Sequence, residues 1–163
     1  MTKQTIAILT LCFVLASTNM AVAAEPTTAQ VDYPTGYRQW VHVKSTVIQE
    51  GNEAYDVAGG IHHIYANEAA FQALTEGKPY ADGAVFVFDL LMAETRDHAI
   101  NEGPRKLLGV MQKDSKKFKD TGGWGFAVFQ DDVKDRVPID SMGCFKCHEP
   151  QKDSGYVYSK FRK

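Results

Sequence analysis

Apolar residues fall in short blocks along the chain, separated by glycine, proline and charged positions. Residues 40–48 (WVHVKSTVI) are dense in β-branched side chains and predict a strand, although the alternation is imperfect. Gly59-Gly60 punctuates, and residues 61–66 (IHHIYA) predict a second strand. Asn67 is a good N-cap for a helix running to Glu76, with Ala70, Phe71 and Leu74 on one face and Gly77 as its stop. Residues 78–83 (KPYADG) carry turn chemistry. Residues 84–91 (AVFVFDLL) form the clearest strand, apolar nearly throughout and so expected to be buried on both faces. Pro104 suits a first helical position, and Leu107, Leu108, Met111 and Phe118 follow at roughly helical spacing, which predicts a second helix over 104–118. Thr121-Gly122-Gly123 turns the chain into a further strand, 124–130 (WGFAVFQ). These elements predict an α+β fold, mainly antiparallel sheet with two or three packed helices.

The first two dozen residues have a different character. Lys3 precedes an apolar run over 5–16 that is short for a membrane span, and Ala21-Val22-Ala23 offers a small-x-small cleavage site. The expectation is a cleaved signal peptide, residues 1–24, followed by a single domain over 25–163 in the periplasm. A retained anchor, or lipid on Cys12, is the competing reading; Leu11 is large for the position before a lipidated cysteine. Loss of Lys3 changes the net charge from −2 to −3, which gives no reason to expect nucleic acid or a membrane surface as partner.

Cleavage would leave two cysteines, both in the stretch Cys144-Phe145-Lys146-Cys147-His148. Cys-x-x-Cys-His is the attachment signature of a c-type haem. On a helical turn both sulfurs and the imidazole project to one side, so Cys144 and Cys147 can bond the vinyl groups while His148 ligates iron. A Cys144–Cys147 disulfide and a zinc site are the rivals. Thioredoxin-type pairs open a βαβ unit, whereas only a short tail follows here, and zinc needs a fourth ligand.

An electron carrier adds a second axial ligand, often Met. Met92, Met111, Met142, His42, His62, His63 and His98 are the available side chains. Met142 is too close to the motif, while Met111 and Met92 read as packing. His62 and His63, adjacent on a strand, point to opposite faces. Phe86 and Phe88 share one face, where they could be core or an apolar cap on the haem. Asp89 alternates away from them.

The segments "YPTGYRQWVHVKS" (33–45), "GGIHHIYAN" (59–67), "DGAVFVFDLL" (82–91), "EGPRKLLGVMQKDSKKF" (102–118) and "TGGWGFAVF" (121–129), with the terminal Cys-x-x-Cys-His, resemble the cytochrome c′-beta branch of the cytochrome P-460 family. That resemblance implies a largely antiparallel β architecture, usually a homodimer, rather than the four-helix bundle of other cytochromes c′. It implies a five-coordinate haem c whose phenylalanine-lined distal pocket binds nitric oxide and carbon monoxide. The family's enzymatic branch oxidises hydroxylamine, with a lysine-to-porphyrin crosslink and a distal acid. Lys78 is the candidate for the crosslink, and Glu102 and Asp89 for the acid, although Asp89 alternates away from Phe86 and Phe88. Asp56-Val57-Ala58 stands where a second aromatic cap would be expected. The lysine-rich run over 113–119 reads as a solvated face or a dock for a small redox partner, the third reading being an electron-transfer cytochrome with a sixth ligand.

Overall fold

The computed structural model describes residues 30–130 and 134–162; the expected signal peptide lies outside them. Its elements are β1 (Val41–Ile48), α1 (Tyr55–Ala58), β2 (Gly60–Ala66), α2 (Glu68–Glu76), β3 (Val85–Arg96), β4 (Ala99–Lys113), β5 (Trp124–Gln130), β6 (Arg136–Val137) and α3 (Ser141–His148). The strands form one six-stranded sheet in the order β1-β2-β3-β4-β5-β6, each pair antiparallel. The fold is α+β, and the described residues form no four-helix bundle.

The expected helix over 104–118 is instead the central strand β4, followed by a turn. A central strand flanked by β3 and β5 carries apolar side chains on both faces. Leu107, Leu108, Val110 and Met111 therefore lose the period of two and imitate helical spacing. Pro104 has no partner in the β3–β4 register, which shifts between Leu91 and Ala93. A residue without an N–H is tolerated at such an irregularity. Met92 is also not core: β3 continues to Arg96, and Met92 stands 49% exposed on a hairpin that runs past the packed region.

Asn67 explains how α2 is placed. Its side-chain oxygen accepts from Ala70 N–H, the cap, and from Val85 N–H, both at 3.0 Å. Its amide donates to Gly83 O at 2.9 Å. One residue thus starts the helix and joins it to β3.

Residues directly opposite in the ladder project to the same face, which divides the sheet into two sides. On the front, Ala66, Phe86, Met111 and Phe126 make one row; Ile64, Phe88, Gly109 and Val128 the next; His62, Leu90, Leu107 and Gln130 the third. On the back run Tyr65, Val87, Val110 and Ala127, then His63, Asp89, Leu108 and Phe129. The back core is closed by Val31 and Tyr37 from the N-terminal arm. The front core holds Ala66, Ala70, Phe86, Met111, Trp124, Phe126 and Val157, with Phe71 and Leu74 of α2 and Cys144 and Phe145 of α3 packed on it. Each such large apolar side chain contributes roughly 1.5–3 kcal/mol on burial.

Candidate functional site

The front face is covered unevenly. Its first row is buried, but Ile64, Phe88, Gly109 and Val128 in the second are only half-buried. An apolar strip therefore lies open beside α3, the helix that carries the Cys-x-x-Cys-His motif.

Helix α3 starts because Asp140 caps it, its carboxylate accepting from Met142 N–H at 3.0 Å. Cys144 and His148, four apart, are half-buried, and Cys147 is exposed. Cys144 and Cys147 are not joined to each other in a disulfide. Burial, then the nearby Asp140 carboxylate, push the Cys144 thiol above its ordinary range, opposite to what a thiol-disulfide enzyme requires of its nucleophile. Among the described residues no three His, Cys, Asp or Glu side chains converge as a metal site.

His148 is oriented by the tail that follows it. Its Nδ1 lies 2.8 Å from Tyr156 O, and a carbonyl can only accept, so Nδ1 carries the proton. That fixes Nε2 as the nitrogen with a free lone pair, the state that a metal-ligating imidazole needs. Aromatic rings flank it, Phe126 at 5.2 Å and Tyr158 at 5.4 Å between centroids. The Tyr156 carbonyl reaches back because Gly155 and Tyr156 both adopt left-handed backbone, φ 66° and 68°. That is uncommon for tyrosine and is held here by packing: the Tyr156 ring lies against Phe145 at 5.5 Å and fills the space over Gly122. Val157 is buried in the front core, and Tyr158 Oη donates to Cys147 O at 2.6 Å. Tyr156, Val157 and Tyr158 were not among the sequence candidates.

Phe86 and Phe88 part company. Phe86 is core, 4% exposed, between Tyr80 and Trp124. Phe88 lies on the open strip, its ring 4.6 Å from that of His62. His62 is buried, with Nε2 bonded to Ala58 O at the end of α1; His63 faces the other way.

The proposed acids are elsewhere. Asp89 is on the back face and fully buried, accepting from Arg105 Nε at 2.6 Å, Tyr37 Oη at 2.7 Å and Arg38 at 3.1 Å. Glu102 accepts from His63 Nε2 at 2.6 Å, and His63 in turn meets Ser45 at 2.7 Å. Lys78, just past α2, pairs with Glu76 at 2.7 Å with its side chain 69% exposed. Met111 is core, whereas His42, His98 and Met142 are exposed.

The front face thus combines a helix turn presenting two thiols and one correctly protonated imidazole with an adjoining apolar surface that has a phenylalanine at its centre. Those groups fit a large flat ring held covalently at one edge. The family model described as Cytochrome P460 matches residues 34–159 of the chain. No curated protein matches it.

Proposed function

Since the chain belongs to the cytochrome P460 family, and is therefore a haem protein, we propose that it is an exported periplasmic haem protein of the cytochrome c′-beta kind. Its single haem c is five-coordinate and captures nitric oxide, and carbon monoxide when reduced. Cys144 and Cys147 hold the ring through thioethers. His148 Nε2 is the one protein ligand to iron, kept in register by the Tyr156 carbonyl. The haem supplies an iron with one axial position open to a neutral diatomic. Phe88 and the half-buried Ile64 and Val128 make the surface around that position apolar. Such a surface excludes water and anions while admitting small neutral gases, which need no proton to bind.

The observation that carries this reading is the pairing of an Nδ1-protonated His148 with a front face on which Met111 is packed in core and Met92 lies out on the hairpin. The exposed, ion-paired Lys78 gives the hydroxylamine-oxidising alternative no support. Resonance Raman and optical spectra of the reduced protein test the proposal. High-spin, five-coordinate iron is expected; a low-spin, six-coordinate spectrum would mean a second side-chain ligand and an electron-transfer role.

A further inference from the structure

His62 is the polar side chain in direct contact with Phe88, and it is 7% exposed. A buried imidazole beside a haem surface would ordinarily be the hydrogen-bond donor to a bound ligand. We infer that His62 sets ligand preference in this protein by withholding that donor: its one N–H is committed to the Ala58 carbonyl.

The tautomer follows from the partner. A carbonyl accepts only, so Nε2 carries the hydrogen. Burial holds the His62 pKa below the usual histidine value, so the ring is neutral at pH 7 and has no second N–H to offer. The acceptor is held in place by its own neighbours. Ala58 N–H donates to Ala54 O at 2.8 Å, Gly59 N–H to Tyr55 O at 2.7 Å, and Lys106 Nζ reaches Gly59 O from β4 at 2.8 Å. The chain then enters β2 through Gly60, whose φ of 131° and close approach to Leu91 O leave no room for a Cβ. With the carbonyl so fixed, His62 stays turned against Phe88 and offers the distal surface no donor of its own.

This arrangement explains why an apolar side chain would not serve at position 62. Leucine would leave the half-buried Ala58 carbonyl without this partner, whereas histidine satisfies it and still presents ring carbon to Phe88. Bound dioxygen gains from a distal donor, while nitric oxide and carbon monoxide depend on one far less. The inference rests on the gas-binding reading and deepens it: His62 makes the site discriminate against dioxygen.

The test uses the full-length holoprotein and the C–O stretch of its ferrous carbonyl. A58P removes the N–H that fixes the last turn of α1, moving the carbonyl and freeing the imidazole. The stretch is expected to fall in A58P and dioxygen affinity to rise roughly three- to tenfold, with A58P/H62L reversing both. Two results overturn the inference: a folded A58P with an unshifted stretch, or a rise in the stretch on H62L alone, which would show the N–H already on the ligand. Should A58P not fold, nitrogen NMR of labelled histidine in the native protein decides. A protonated Nε2 with iron-dependent shifts supports the inference, and a protonated Nδ1, or shifts insensitive to the iron, overturns it. A native protein that forms no ferrous carbonyl would instead sink the gas-binding reading itself, and this inference with it.

Discussion

Asp89 stands one residue from Phe88 but points to the other side of the sheet, and replacing it with asparagine separates a structural role from a catalytic one. The substitution keeps shape and removes charge. Three groups lose an ionised acceptor: Arg105, whose side chain is 7% exposed, Arg38, 53% exposed, and the buried Tyr37 hydroxyl. The exposed Arg38 pair is worth little, under about 1 kcal/mol. The Arg105 pair dominates, since removing one member of a buried pair costs about 3–5 kcal/mol, and the Tyr37 bond adds about 1–2 kcal/mol. These are not additive, so roughly 4 kcal/mol is expected. That is a large share of a stability of about 5–15 kcal/mol and lowers Tm by roughly 10–20 °C. Guanidinium melts followed by tryptophan fluorescence measure the loss. The ferrous carbonyl spectrum of the folded D89N protein should match that of the native one, because Asp89 does not face the haem side. A loss below about 1 kcal/mol would refute the energetic reasoning, and a changed carbonyl spectrum would make Asp89 a distal acid after all.

Tyr37 carries the matching pH effect. Burial, and then its bond to Asp89, raise the phenol to about 12. A phenol raised on folding stabilises the native state below its unfolded pKa of about 10 and loses that contribution as pH climbs through 12. Stability should therefore fall between about pH 10 and 12, and less steeply in Y37F; equal slopes would reject the assignment. N67A removes the α2 cap and the acceptor for Val85 N–H together, costing about 2–3 kcal/mol in a denaturant melt; a loss under about 0.5 kcal/mol would show that water replaces it. F88A should accelerate carbon monoxide binding in stopped-flow, and an unchanged rate would return Phe88 to a packing role. A denatured tryptic digest should place all haem on the peptides carrying Cys144 and Cys147, which are cut apart at Lys146 and joined only through the ring, whereas haem on a Lys78 peptide would revive hydroxylamine oxidation.

Legibility in the sequence followed locality. Asn67, with Gly77 nine residues beyond the helix start, marks α2 because capping is settled within a turn or two of chain. The strand at 124–130 was readable because turn glycines bound it. The 104–118 segment was not, since Leu107, Leu108, Val110 and Met111 put apolar side chains on both faces of the strand and leave no polar side to reveal its period. Met92 misled for the opposite reason: its neighbours are apolar, but the hairpin carries it beyond the core.

The Cys-x-x-Cys-His spacing, the alternation that sets Phe88 and Asp89 on opposite faces, and the α+β class all follow from sequence, because each depends on residues a few positions apart. Only the tertiary structure could show that Tyr156 O selects the His148 tautomer, that Phe86 is core while Phe88 is open, and that His62 donates to Ala58. Those outcomes depend on which surfaces α2, α3 and the tail cover, and on single hydrogen bonds whose geometry exists only once the sheet has closed against them.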